Sequence, residues 1–122
     1  MRYLFLLLAA CQLLSGCATK PTDFQLYFLG GQSNMEGFGF TSELPADAKA
    51  PLQDVMLVPG QMAFDNATHG GRGVWQALQP GFGTGFSSDG EANNLSDRFG
   101  PELYFGHTMV ALAPGSKIAI VK

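Results

Sequence analysis

The fold is decided by the stretch FQLYFLGGQSNMEG, residues 24–37, in which an apolar run passes through two glycines to a single serine. The aromatic and branched character of residues 24–29 predicts a strand buried on both faces of a parallel sheet. Gly30 and Gly31 permit positive φ and close backbone approach, so the chain is expected to turn sharply there. Active sites of parallel sheets lie beyond the carboxyl ends of the strands, which is where this turn presents Ser33.

Two interpretations of Ser33 follow from this pattern. A serine hydroxyl becomes a nucleophile when it is held beside a base and beside donors for an oxyanion, and a rigid strand-to-turn junction suits that purpose. A helix beginning near Asn34 would add free N–H groups next to the hydroxyl. Alternatively, Ser33 only caps that helix, because serine is among the commonest N-cap residues. The strand, the glycines and the serine leave both interpretations open.

The middle of the chain is poorer in regular structure. Residues 53–59 and 61–64 are consistent with a hairpin around Pro59 and Gly60. Residues 70–90 form a glycine-rich stretch, which predicts a long loop of the kind that often serves as a lid or binding loop. Its aromatic side chains either stack on sugar rings or pin the loop to the core. These side chains are Trp75, Phe82 and Phe86.

A helix and a strand are predicted near the end of the sequence. Pro101 suits a first helical turn and Glu102 suits the positive end of the helix, while Pro114 and Gly115 stop it. Its buried stripe is predicted to contain Leu103, Met109, Val110 and Leu112. Residues 118–121 then form a buried strand, which completes a strand–helix–strand parallel unit and gives the α/β class. An apolar strand at this point is expected to be a sheet edge left by a truncated sequence.

The first residues have the pattern of an export signal. Arg2 precedes the apolar residues 3–14, and Leu-Ser-Gly-Cys at residues 14–17 resembles a bacterial lipobox. Residues 1–16 are therefore predicted to be a lipoprotein signal peptide, Cys17 the lipidated residue, and 17–22 a linker. This predicts a lipid-anchored protein of the bacterial cell envelope, at the outer membrane or the periplasmic face. An ordinary signal peptide or an uncleaved short anchor remains the alternative.

Composition excludes some partners and cofactors. Charged residues make up only 14% of the chain, and the formal net charge is −3. A mildly acidic chain without a basic cluster offers no electrostatic basis for binding nucleic acid, whereas a neutral glycan is compatible with it. No metal or organic cofactor is implied, because His, Asp and Glu do not cluster in the sequence.

Two segments carry a family resemblance: Gly31-Gln32-Ser33-Asn34-Met35-Glu36-Gly37 and Phe99-Gly100-Pro101-Glu102-Leu103. Together they resemble the sialate O-acetylesterase and acetylxylan esterase group of carbohydrate acetylesterases, in the SGNH-hydrolase superfamily. The resemblance implies a three-layer α/β fold, an acetylated carbohydrate substrate and Ser33 as nucleophile. It also implies that Gly100 joins Ser33 as an oxyanion donor, with Gln32 and Asn34 as possible substrate contacts. Trp75 of the glycine-rich stretch is a further possible contact, through stacking of its ring on a sugar.

The sequence departs from this family in its acid–base residues. The family's Asp-x-x-His pair is missing, since Asp65 and His69 are one residue too far apart and His107 is predicted to lie within a helix. The family's Gly-Gln-Gly-Glu-type block is also missing, and both are expected after Lys122. Residues 23–122 are therefore predicted to be the amino-terminal part of an acetylesterase domain, truncated at its carboxyl end and inactive alone. A surface-anchored glycan-binding module and a structural lipoprotein are the alternatives.

Overall fold

The computed structural model describes residues 23–60 and 73–122. The predicted signal peptide, Cys17 and the linker lie outside these residues, as do the second arm of the predicted hairpin, Asp65 and His69. Within the described residues, no helix is long and apolar enough to cross a membrane.

Eight strands and two α-helices follow one another along these residues. In chain order they are β1 (Phe24–Phe28), α1 (Ser33–Glu36), β2 (Gly39–Phe40), β3 (Leu52–Val58), β4 (Gln76–Leu78), β5 (Ser87–Ser88), β6 (Asn93–Asn94), β7 (Arg98–Phe99), α2 (Pro101–Leu112) and β8 (Lys117–Val121). Two 3₁₀ turns, Thr41–Glu43 and Ala46–Ala48, lie between β2 and β3. Strand β3 confirms the predicted strand over residues 53–59.

The main sheet has the strand order β1-β8-β3-β4. Strand β8 is parallel to both β1 and β3, and β4 is antiparallel to β3. The α/β class and the strand–helix–strand unit of β1, α2 and β8 are thus confirmed. The prediction that residues 118–121 form a sheet edge is wrong, because β8 lies between two partners. The antiparallel partner of β3 among the described residues is β4, which comes from the stretch predicted to be a long loop.

The two faces of this sheet differ in how they are covered. Val55, Leu57, Ile118 and Ile120 point to one face, are 0% exposed and belong to the same core cluster as Leu103 of α2. On the other face, Phe24, Leu26 and Phe28 of β1 are 50%, 67% and 76% exposed. The prediction that β1 is buried on both faces is therefore wrong. Within the part of the chain that the structure describes, β1 is an edge strand and no element covers its outward side chains.

Helix α2 begins as the sequence predicts. Gly100 is its N-cap and proline occupies the first turn, where the missing N–H costs nothing. Leu103 is buried, and Met109 and Val110 pack partly buried against the core. Leu112 is exposed, so its assignment to the buried stripe is wrong. Residues Pro114 and Gly115, the latter with φ 81°, follow the helix and lead into β8.

Candidate functional site

Ser33 lies just beyond the carboxyl end of β1. The N–H of Leu29 donates to the carbonyl of Val121, which prolongs the pairing of β1 with β8 up to the turn. Helix α1 then begins with Ser33 as its first residue, and the N-cap position belongs to Gln32. No side chain caps this helix. The alternative in which Ser33 serves as a helix cap is therefore wrong, and its exposed side chain is free for another purpose.

Of the two properties that glycine permits at this turn, the structure uses close approach and not positive φ. Neither Gly30 nor Gly31 has a positive φ. A Cβ at Gly30 would lie 2.5 Å from the ring of Phe28, and one at Gly31 would lie 2.9 Å from Cβ of Met35. Cβ of Met35 is fixed to the helix backbone, so Gly31 excludes a side chain, whereas the mostly exposed ring of Phe28 can turn away from one at Gly30. The turn is tight because the strand and the helix it joins pack directly on it.

The first backbone amides of α1 face no acceptor within the described residues. The N–H groups of Met35 and Glu36 donate to the carbonyl of Gln32, and that of Gly37 donates to the carbonyl of Ser33. The N–H groups of Ser33 and Asn34 have no such bond in the described part of the chain. The first N–H groups of a helix lack intrahelical partners and are available to a ligand. One free amide thus belongs to the residue that carries the hydroxyl.

Ser33 opens into a cavity of about 690 Å³ at the carboxyl edge of the parallel strands. Its walls come from three places: the end of β1 with the turn, the ends of β3 and β8, and the glycine-rich residues 82–86. The lining includes Phe28, Gln32, Ser33, Glu36, Pro59, Phe82, Phe86 and Lys122. The rings of Phe82 and Phe86 lie 5.6 Å apart and give one wall an aromatic surface.

Gly100 lies behind the Ser33 turn, and its amide is already engaged. A Cβ on Gly100 would be 3.0 Å from the carbonyl oxygen of Met35, so the start of α2 packs against the backbone of α1. The N–H of Gly100 donates to Oε1 of Glu102 at 2.9 Å, in a buried position. Gly100 is also not among the residues that line the cavity. To serve as the second oxyanion donor, its amide would have to leave that carboxylate.

The other predicted site residues are only partly brought together. Gln32 lines the cavity, whereas Asn34 does not. Trp75 lies before β4 on the uncovered face of the sheet, beside Phe24 and Leu26, and not in the cavity. Phe82 is 2% exposed and belongs to the core cluster, and Phe86 packs against that cluster, so the alternative in which these rings hold the loop on the core is confirmed for both. Trp75 is half exposed and lies elsewhere.

No histidine lines the cavity within residues 23–60 and 73–122. His107 lies within α2, where its ring is 6.3 Å from that of Tyr104 and its Nε2 is buried without a hydrogen-bond partner. Nor do three or more His, Cys, Asp or Glu residues of the described ranges gather in a way that could hold a metal ion. The chemistry of the described cavity is thus the hydroxyl and free amide of Ser33, apolar walls and the charged residues Glu36 and Lys122.

One pair of residues at the site was missed by the sequence reasoning. Nζ of Lys122 lies 2.8 Å from Oε2 of Glu102, and the two side chains are 7% and 0% exposed. Glu102 was predicted only as a favourable charge at the start of α2, and Lys122 was given no role. A lysine directly after a buried strand, with an acid in the preceding helix, is the sequence signal that could have suggested the pair.

Comparison with known protein families gives one finding. A family model described as carbohydrate esterase, sialic acid-specific acetylesterase matches residues 23–122. No curated protein and no solved structure is similar enough to the chain to count as a match. The matched range begins one residue before β1 and includes every described element.

Proposed function

Because the chain belongs to the carbohydrate esterase family of sialic acid-specific acetylesterases, we propose that Ser33 is the nucleophile of an enzyme that removes O-acetyl groups from carbohydrates. The observation that carries this proposal is the position of Ser33: exposed, first in its helix, next to unpaired amides and facing the cavity. A hydroxyl in that setting is suited to acyl transfer. Acetylated xylan and O-acetylated sialic acid are the two substrate types to compare.

The proposed reaction proceeds in two steps. Oγ of Ser33 attacks the acetyl carbonyl carbon, a base removes the hydroxyl proton, and the sugar oxygen leaves with a proton to give acetyl-Ser33 and the free carbohydrate. Water then attacks the acetyl group, releasing acetate and restoring the hydroxyl. The N–H of Ser33 is the donor best available for the tetrahedral oxyanion, and Gly100 joins it only if its amide exchanges Glu102 for the oxyanion.

The test measures acetate release by the full natural polypeptide that carries residues 23–122, on acetylated xylan and on O-acetylated sialosides. Ser33→Ala is expected to lower the rate at least about 1,000-fold, as loss of the nucleophile does in triad enzymes. Ser87→Ala, which removes an exposed hydroxyl from β5, is the matched control and should leave the rate within about twofold. Retention of full activity by the Ser33 variant contradicts the proposal.

Residues 1–122 alone are proposed to have little or no activity. The cavity of the described residues has no histidine to take the serine proton, and members of a catalytic triad act as a unit, so loss of one removes most of the rate. The expected measurement is a rate for this chain close to that of its own Ser33→Ala variant. A clear Ser33-dependent release of acetate by residues 1–122 would contradict this part of the proposal.

We further propose that residues 23–122 are part of an SGNH-hydrolase-like three-layer domain. The support is a mostly parallel sheet with α2 on one face and exposed apolar side chains on the other, where a third layer would lie. A crystal structure of the full natural polypeptide tests this directly. Helices packed on Leu26 and Phe28 are expected, and a solvent-exposed face there would contradict the proposal.

Lipid attachment at Cys17 is also proposed, with residues 1–16 as the removed signal and the cell envelope as location. The support is the lipobox-like ending of an apolar leader, since these residues lie outside the described ranges. Growth with labelled palmitate is expected to label the protein, and Cys17→Ser should abolish the label. Cys11→Ser, the matched control within the leader, should retain it.

A glycan-binding module without catalysis is the remaining alternative. Phe86, a partly buried residue of the cavity lining, offers an aromatic surface that suits a sugar ring, whereas Phe82 beside it is buried in the core. Such a module would bind acetylated sugar without releasing acetate, and Ser33→Ala would not change its affinity. Titration calorimetry beside the acetate assay separates the two functions.

A further inference from the structure

We infer that the buried Glu102–Lys122 pair is a positioning device, which holds the Ser33 turn and the glycine-rich wall of the cavity at fixed places. The inference rests on the proposed function in one respect, namely that the turn it holds carries the reactive hydroxyl. Neither residue touches a substrate in this argument. Both act through the backbone segments to which they are bonded.

Lys122 contacts three different parts of the site with one ammonium group. Its Nζ lies 2.8 Å from Oε2 of Glu102, donates to the carbonyl of Phe82 at 2.7 Å, and donates to the carbonyl of Glu36 at 3.1 Å. Glu36 ends α1, the helix that Ser33 begins, and Phe82 opens the glycine-rich wall. A lysine ammonium has three protons, and two of them are donated to these carbonyls, while the contact with Glu102 is an ion pair. The end of β8 is thereby tied to both sides of the cavity.

Glu102 extends the same connection to the start of α2. Its Oε1 accepts the N–H of Gly100 at 2.9 Å, while Oε2 forms the ion pair with Lys122 without hydrogen-bond alignment. Gly100 in turn packs against the backbone of Met35 and Gly37. One carboxylate and one ammonium therefore connect α1, the glycine-rich wall, α2 and β8 at a single point.

Stability alone does not explain why an ion pair is buried. Removing two charges from water costs free energy that their attraction often fails to recover, and apolar replacements of the same volume are frequently as stable. Here the two charged groups also satisfy an amide and two carbonyls from separate segments. An apolar pair would leave those backbone groups without partners in the same place. The arrangement thus favours fixed geometry over maximal stability.

The chain contains a matched control pair on the same strand. Lys117 begins β8 and pairs with Asp54 of β3, but these side chains are 42% and 47% exposed and are not among the cavity-lining residues. An exposed pair contributes little to stability. Lys122→Met and Lys117→Met make the same chemical change at the two ends of β8, and only the first removes contacts to the cavity walls.

Amide hydrogen exchange of the natural polypeptide tests the inference without requiring activity. In Lys122→Met, the amides of Glu36, Gly37 and Thr84 are expected to exchange at least about tenfold faster relative to those of Ile118 and Ile120, because local opening is separable from global unfolding. In Lys117→Met these ratios should stay within about twofold. Equal acceleration of all five amides, or none, overturns the inference and assigns the pair an ordinary structural role.

Further variants keep the test decisive if Lys122→Met does not fold. Lys122→Arg retains the charge but directs its donors differently, so the exchange ratios should lie between those of the natural protein and those of Lys122→Met. The exchanged pair Glu102→Lys with Lys122→Glu restores charge balance but directs a carboxylate at the carbonyls of Glu36 and Phe82. It should therefore remain as loose at the cavity as Lys122→Met. Recovery of the natural ratios by the exchanged pair overturns the inference.

An activity measurement separates this inference from the proposed function. If the natural polypeptide releases acetate, Lys122→Met is expected to lower kcat about 10- to 100-fold with KM nearly unchanged, as misplacement of a reacting group does. A change in KM alone contradicts a positioning role. If no Ser33-dependent acetate release is found, the proposed function fails, while the exchange ratios still decide whether the pair fixes the turn.

Discussion

The two faces of the main sheet are made from the same strands and contain the same kinds of apolar residues, yet among residues 23–60 and 73–122 only one of them is packed against a helix. Leu57 and Ile120 lie under α2 with no exposed surface, whereas Leu26 and Phe28 point the other way and are mostly exposed. Burial stabilises a leucine side chain by about 1.5–3 kcal/mol relative to its exposed state. The described residues therefore obtain their stability from one face, and the cavity is built at the edge of that sheet.

The largest expected effect tests this difference directly. Leu57→Ala should lower the free energy of unfolding by about 2–5 kcal/mol, since it leaves a cavity beneath α2. Leu26→Ala, the same substitution on the uncovered face, should lower it by less than about 1 kcal/mol. Denaturant unfolding of the two variants in parallel provides the measurement. Equal losses would mean that the outer face is also packed, and the contrast between the faces would be lost.

A second prediction contrasts a glycine of the packed side with one at an open turn. Gly37 and Gly90 both have positive φ, at 95° and 87°. A side chain at Gly37 would collide with the backbone of Gly100 and Phe99, whereas nothing lies within 4 Å of a Cβ at Gly90. Gly90→Ala should cost about 1–2 kcal/mol from the backbone alone.

Gly37→Ala adds the collision to a conformational penalty that also arises from positive φ. The expected loss is about 2–5 kcal/mol, because backbone atoms of the neighbouring segment cannot rotate away as a side chain can. Thermal or denaturant unfolding of both alanine variants gives the difference. Losses that agree within about 0.5 kcal/mol would show that the α1–α2 contact yields easily, and that the site edge is less tightly packed than its covered face.

The sequence predicted those features that depend on local signals. Pro101 and the residues after it predicted α2, and the apolar run followed by Gly30 and Gly31 predicted β1 and the exposed turn at Ser33. An apolar run does not reveal which neighbours the chain supplies, so the burial of β1 on both faces was predicted wrongly. The same is true of β8, whose central position depends on β3 pairing with it.

The site was harder to predict, because its contacts join segments that are distant in sequence. Local patterns identified Ser33 and Gln32 as neighbours in one turn. They could not show that the Glu102 carboxylate would accept the hydrogen bond of the Gly100 amide. Nor could they show that Trp75 would lie on the uncovered face and not at the cavity. Lys122 reaches two carbonyls only because β8 ends beside both α1 and the glycine-rich wall.

Leu26→Lys is expected to have the smallest effect on stability and a clear effect on the binding of an apolar dye to the surface. Leu26 shares the uncovered face with Phe24, Met56 and Trp75, which together form an apolar patch. A charge at this exposed position should change the free energy of unfolding by less than about 1 kcal/mol. It should also reduce binding of a dye such as ANS by residues 1–122, because such dyes report accessible apolar surface.

Thr108→Lys, at an exposed position of α2 away from the patch, is the control for added charge and should leave the dye signal unchanged. A large loss of stability in Leu26→Lys, with dye binding unaltered, would mean that this face is covered in solution and that the two sides of the sheet are more alike than the described residues indicate.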